Sequence, residues 1–297
     1  TEIYTFSLHD ALPIWSAAGA QKLRSAGLEQ SRFEAEVLLA AVMHQERLYF
    51  LMHPEIPLSS EQIRAFANAI KRRSAHEPSA MITGHREFMG LDFDVNAHVL
   101  IPRPDTENIV ETALAWISKR SRPEVLDLCC GSGAIGIALK NCCPNIQLWL
   151  SDISKEALAV AKSNAQKYHI EAQLILGDLF EGLLPGQRFD MVVTNPPYIP
   201  TDEIADLSPD IKNYEPRVAL DGGEDGYDFY KRLFASVHDH LKKQGYLVLE
   251  CGWNQADTLI DMARSFSHIE RIYDLAGFAR GLAPTRSEER RVGKECR

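Results

Sequence analysis

Four consecutive residues, Asn195-Pro196-Pro197-Tyr198, carry the most specific chemistry in this sequence. The apolar run from Phe189 to Val193 reads as a short buried strand that stops at Asn195. Neither proline has an N–H to donate, so the pair cannot continue a sheet ladder. The chain must therefore leave the strand in a stiff, extended turn past its C-terminal end, the edge where open α/β sheets bind ligands. Asn195 precedes a proline, which holds its backbone extended, and Tyr198 supplies a flat ring. Asn195, Pro196, Pro197 and Tyr198 then form a small rigid slot with an amide acceptor, exposed carbonyls and an aromatic wall. Such a slot suits capture of a planar NH2 group.

A second constellation lies upstream. Val125-Leu126-Asp127-Leu128-Cys129-Cys130-Gly131-Ser132-Gly133-Ala134-Ile135-Gly136 reads as a strand, a tight small-residue turn and a helix start. Glycines let the backbone approach a ligand there, and the helix N-terminus offers free N–H groups. Gly131 to Gly136 fits GxGxxG, and Asp152 follows about twenty residues on, a spacing that suits a nicotinamide dinucleotide. The same geometry serves S-adenosylmethionine: Asp152 can accept both ribose hydroxyls, and Asp178 and Leu179, after the third strand, can hold an adenine. Asp127 lies under the loop and either orders it or reaches the methionine portion. Each carboxylate is also readable as a plain loop cap. The fourth strand separates the two cofactors, because a dehydrogenase has no use for Asn-Pro-Pro-Tyr and an amino-methylating enzyme does.

Strands and helices alternate after Arg122, from Val125–Cys129 to His268–Tyr273, which implies a mostly parallel sheet covered on both faces. Residues 15–77 are helical in pattern, with Phe33, Val37, Leu38, Ala41 and Val42 on one apolar face and Ser59 to Gln62 as a capping start. They are expected to form a small bundle that docks a partner. Residues 78–105 read as a hairpin linker, ending in a proline-stiffened entry where Asp105 or Thr106 can cap the next helix. That entry is either a linker or a rigid hinge holding Arg103 near the site. Residues 1–14 and 286–297 read as non-native tails, leaving a domain from 106 to 283.

A net charge of −9 argues against a broad electrostatic grip on nucleic acid. No apolar run is long enough to span a bilayer, and no secretory signal pattern opens the chain. The six cysteines show no metal-ligand spacing, so no metal is expected, and their usage fits a reducing cytosol.

The ordered set Cys130-Gly131-Ser132-Gly133, Asp152, Asp178 and Asn195-Pro196-Pro197-Tyr198 resembles a class I S-adenosylmethionine-dependent methyltransferase acting on an NH2 nitrogen. Three stretches narrow the resemblance to the HemK/PrmC glutamine methyltransferases of peptide chain release factors: Gly84 to Leu91, Leu100-Ile101-Pro102-Arg103-Pro104-Asp105-Thr106-Glu107, and Tyr214 to Gly226. The resemblance spans roughly residues 15–282. It implies a Rossmann-like, seven-stranded, mostly parallel sheet with an antiparallel last strand, behind a small N-terminal helical bundle. It also implies methylation of the glutamine in a release factor's Gly-Gly-Gln motif by a cytoplasmic protein. Asn195, Pro196 and Tyr198 would act on the substrate amide, with Asp127, Cys129, Cys130, Gly131, Ser132, Gly133, Asp152, Asp178, Leu179 and Asn195 on the cofactor. Two departures stand out: Cys129 occupies the family's usual first loop glycine, and the chain changes character soon after Leu282, so a frayed last strand is expected. A monomer without direct nucleic-acid binding is expected. The rival substrates are a ribosomal-protein glutamine and a flipped DNA adenine; a binding-only scaffold would leave the slot without a purpose.

Overall fold

The computed structural model describes residues 12–287. It divides into two compact units, one reaching to His85 and including Ser208–Tyr214, the other formed by Arg86–Leu207 and the chain from Glu215 onward.

The first unit is helical: α1 (Leu12–Ser25), α2 (Ser31–Met43), α3 (Arg47–Met52), α4 (Ser60–Ser74) and α5 (Ser79–Thr83). Its core gathers Leu12, Trp15 and Leu23 with Leu38, Leu39, Phe66 and Ile70. Gly19 lets α1 approach α4, because a Cβ there would stand 2.8 Å from the Phe66 ring. Ser59 closes a reciprocal capping box, accepting from the Gln62 N–H at 3.1 Å while its own N–H meets Gln62 Oε1 at 2.9 Å. Three expectations need correction. Helix α1 begins at Leu12, which is buried, so residues 12–14 belong to the bundle; residues 1–11 lie outside the described residues. Phe33 faces outward, with the Arg47 guanidinium over its ring, and Ala35 and Leu39 take the inner face. The unit also runs past residue 77 and recruits α9 (Pro209–Tyr214) from far along the chain, where the Tyr214 hydroxyl donates to the Ala75 carbonyl at 2.8 Å.

The second unit opens with the hairpin β1 (His85–Phe88) and β2 (Leu91–Asp94), then α6 (Glu107–Ile117). Its sheet is built from β3 (Glu124–Leu128), β4 (Gln147–Asp152), β5 (Gln173–Leu176), β6 (Phe189–Thr194), β7 (Leu241–Glu250), β8 (His268–Tyr273) and β9 (Ala279–Thr285). The order is β5-β4-β3-β6-β7-β9-β8, and only β9 runs against its neighbours. Helices α7 (Ala134–Cys142), α8 (Lys155–Lys167), α10 (Asp228–His240) and α11 (Ala256–Met262) join the strands and cover them. The apolar residues of β3 and β6 are divided between two buried clusters, one on each face of the sheet: Val125, Met191 and Val193 in the first, Leu126, Leu128 and Val192 in the second. Strand β9 is not frayed. It sits between β7 and β8, with Leu282 and Ala283 fully buried, and Arg286 continues its ladder through an N–H to the Gly245 carbonyl at 2.8 Å. Of the tail expected from residue 286, Arg286 and Ser287 are described; residues 288–297 lie outside the described residues.

Candidate active site

The order of the sheet dictates where a site can lie. Strands β3 and β4 end side by side, and β6 lies on the other flank of β3, so the loops after all three converge at one edge. A cavity of about 720 Å³ opens there, within the second unit.

The loop after β3 is folded by its own backbone. Gly131 and Gly133 adopt left-handed conformations, and the Gly133 N–H closes onto the Cys130 carbonyl at 2.7 Å. A Cβ on Gly133 would press within 2.9 Å of Ile137, whereas Gly131 has nothing within 4 Å and faces open space. Cys129 has φ of 59°, a conformation that strains a side chain and that glycine adopts freely. Replacing Cys129 with glycine is therefore expected to stabilise the fold by about 1 kcal/mol, and replacing it with alanine to give no such gain. Urea unfolding of the two variants beside the parent checks this.

Carboxylates pin that loop. Asp127 is fully buried, accepts the Gly136 N–H at 2.8 Å, and leaves its second oxygen without a partner among the described residues. Burial raises its pKa to about 7. Asp152 receives the Gly131 N–H at 2.9 Å on one oxygen and the Ser154 N–H at 2.9 Å on the other. It thus ties the loop to the end of β4, and each oxygen keeps one lone pair for a ligand. Burial also raises the Asp152 pKa against those N–H bonds. The Asp178 carboxylate meets Arg232 of α10 at 2.8 Å, and Leu179 stands beside it on the cavity wall. Asn164 escaped the sequence reading. Its amide accepts the Asp94 N–H at 2.8 Å and donates to the carbonyls of Asp94, at 3.0 Å, and Ser132, at 2.9 Å, clamping hairpin and loop together. A polar residue on a helix in mid-sequence gives no local signal of such a role.

The turn after β6 is held from behind. Ile199 pairs with the 220–222 segment through N–H bonds at 3.0 and 2.8 Å, and Gln255 donates to the Tyr198 carbonyl at 3.0 Å. Gly222 permits this contact, since its Cβ would stand 2.8 Å from the Tyr198 backbone. Asn195 and Pro197 line the cavity. Pro196 is buried and Tyr198 packs against the core beneath, so neither side chain forms a wall of this cavity, contrary to the aromatic wall expected from the sequence. Arg103 lines the cavity and is paired with the buried Glu215, which also accepts the Ile101 N–H at 3.4 Å; this fixes the proline-rich entry as a braced segment. Neither Asp105 nor Thr106 caps α6 through its side chain. The Thr106 hydroxyl instead accepts from the Asn195 amide nitrogen at 3.3 Å.

The residues present fit a nucleoside with a charged tail. The loop exposes an open glycine, Asp152 retains acceptor capacity, and Leu179 and Ile153 supply apolar wall. The cavity also has the size of a small-molecule site. Two family models match the chain: the PrmC N-terminal domain over residues 15–84 and the methyltransferase small domain over residues 110–207. A 16S rRNA methyltransferase of T. thermophilus, solved with AdoMet and guanosine, shares the fold at TM-score 0.50 and 17% identity, covering 68% of this chain and 49% of that one. Sheet order and the methyltransferase match define a class I methyltransferase, the class that takes its methyl group from S-adenosylmethionine. The release factor glutamine methyltransferase of Koribacter versatilis is 38% identical over 266 residues, 89% of this chain and 95% of its own length. That of Geobacter sulfurreducens is 42% identical over 240 residues, 81% and 84% of the two chains. The chain belongs to the release factor glutamine methyltransferase family.

Proposed function

We propose that this enzyme methylates the side-chain amide nitrogen, N5, of the glutamine in the Gly-Gly-Gln motif of peptide chain release factors. The observation that carries the reading is the commitment of the Asn195 nitrogen to Thr106. With its nitrogen occupied, Asn195 presents its oxygen as the acceptor, beside a cofactor loop on the same cavity. S-adenosylmethionine supplies the methyl group as an electrophile. The Asn195 oxygen and the Pro196 carbonyl each accept one N–H of the substrate amide, which orients a nitrogen whose lone pair is otherwise delocalised into its carbonyl. The same two acceptors favour the positive charge that grows on that nitrogen before it loses a proton. Tyr198 backs the slot from the core side and is held by Gln255 through its backbone carbonyl. The Arg103–Glu215 pair stiffens the rim of the slot. Asp152, Asp178, Leu179 and the loop from Cys129 to Gly133 hold the cofactor, with Asp127 beneath them.

The names of the relatives support the release factor as substrate, and the helical first unit suits the docking of a protein. The net charge of −9 favours a protein target over a flipped DNA base. Among the described residues no helix is long and apolar enough to cross a membrane. The reading is of a cytoplasmic monomer that meets its substrate as a folded protein. Methyl transfer from radiolabelled cofactor to a purified release factor tests it, beside a factor whose Gly-Gly-Gln glutamine is replaced. Label that requires that glutamine is the expected result. Label appearing instead on a ribosomal protein or on DNA would overturn the substrate assignment.

A further inference from the structure

Glu250 ends β7 and is 3% exposed, yet no sequence signal marked it. The parallel register sets Thr194 of β6 beside Leu249, so Asn195, just past the end of β6, follows in register with Glu250, which still pairs with Gly281 of β9. The groups facing its carboxylate come from every element around it. The Tyr198 hydroxyl approaches Oε1 at 3.5 Å, and the side chains of Thr106 and Asn195 bear on the same group. Asp105 and Arg280 add charges of opposite sign, with Arg280 lying 3.5 Å from Asp105 and 2.8 Å from Asp274. From α10 the Tyr230 hydroxyl donates to the Glu250 main-chain carbonyl at 2.7 Å, and Cys251 follows directly after the strand's end. The second carboxylate oxygen is buried without a partner among the described residues.

We propose that Glu250 is a positioning residue for methyl transfer, setting the direction of a hydrogen-bond chain that runs from Asn195 through Thr106. The inference rests on the substrate-slot reading of Asn195. A threonine hydroxyl has one proton. If it accepts from the Asn195 nitrogen, that proton must go elsewhere, and the buried Glu250 carboxylate, set beside Asn195 by the strand register and approached by Tyr198, is the acceptor we assign to it. The ionised carboxylate thus fixes the order Asn195 N–H to Thr106, then Thr106 O–H to Glu250, and it accepts from Tyr198 as well. A protonated Glu250 can donate to Thr106 instead, which reverses the chain and releases the Asn195 amide from its orientation. Burial is the main cause that raises the carboxyl to about 7, with Asp105 raising it and Thr106, Asn195 and Arg280 lowering it, so both forms exist near neutrality.

The test uses the full-length protein with a release factor and labelled cofactor, and follows kcat and KM against pH. The wild type is expected to show kcat rising with pH through about 7. Glu250→Gln is expected to lower kcat about 10- to 100-fold, to leave KM for the release factor near its parent value and to lose that acid limb. Cofactor affinity, measured by equilibrium titration, stays within about twofold. Thr106→Val is expected to reproduce the loss of kcat, and Thr106→Ser to restore most of it; this pair also decides the matter if Glu250→Gln fails to fold. An acid limb that survives in Glu250→Gln, a wild-type kcat in Thr106→Val, or a change in KM alone would each overturn the proposal. Asn195→Ala runs in the same assay. If it retains full activity the slot reading fails; if it is inactive while Glu250→Gln and Thr106→Val are normal, only the positioning role fails.

Discussion

Replacing Asn195 with alanine is expected to reduce kcat by about 10² to 10³-fold while cofactor affinity changes little. The magnitude follows from what is removed. One acceptor aimed at charge that develops during the reaction supplies about 3–4 kcal/mol in a water-poor site, as oxyanion-hole donors do with the sign of charge reversed. The cofactor loop is held independently, by Asp127 and Asp152 and by the Asn164 clamp, so it keeps its shape without Asn195. Single-turnover methylation, together with a cofactor titration of the same variant, checks both halves. Asn195→Asp is the sharper companion: it restores an acceptor oxygen but brings a second carboxylate towards Glu250. Its activity is expected to remain low, because the aspartate has no N–H with which to start the chain to Thr106. A fall in cofactor affinity parallel to the fall in kcat would show instead that Asn195 belongs to the cofactor site alone.

The parts of this site that were legible in the sequence are those whose backbone demands are severe. Two prolines after an apolar strand exclude a continued ladder, and a run of small residues between a strand and a helix exclude most loops, so slot and cofactor turn announced themselves. The mostly parallel sheet followed from the alternation of strands and helices, and its single reversed strand from the resemblance. Side chains that act through tertiary neighbours stayed hidden. Thr106 read as a candidate helix cap because Thr before a helix commonly is one, and nothing local marked Glu250 or Asn164. Their roles depend on which strand lies beside which, and local pattern carries no register. The extension of α1 to Leu12 was hidden for a related reason: a short helical turn gives no periodicity until Trp15 and Leu23 join Leu12 in one core.

Two buried carboxylates are expected to make this protein less stable as pH rises across neutrality. Glu250 and Asp127 each titrate near 7 in the folded chain, against ordinary values of 4.5 and 3.8, and burial is the largest cause for both. Between those values the folded chain keeps a proton that the unfolded chain has lost. Stability is therefore fully present below the unfolded pKa and falls as pH rises, levelling off once the folded groups have ionised above about 7. At 1.36 kcal/mol per unit, the ceiling is on the order of 3 kcal/mol for Glu250 and 4 kcal/mol for Asp127. Urea unfolding at about pH 5 and about pH 8 is expected to show the parent losing several kcal/mol over this interval. Glu250→Gln and Asp127→Asn are each expected to remove roughly half of that loss, so each variant matches the parent near pH 5 and exceeds it near pH 8. Parallel curves for parent and variants would mean that neither carboxylate is taking up the proton. The sign has a consequence for function. The ionised Glu250 that orders Thr106 and Asn195 is the form the fold tolerates least, so kcat and stability must run in opposite directions through neutral pH. A variant that gains stability at high pH by neutralising Glu250 gives up the group that aims Asn195, and the two curves measured on one protein expose that opposition directly.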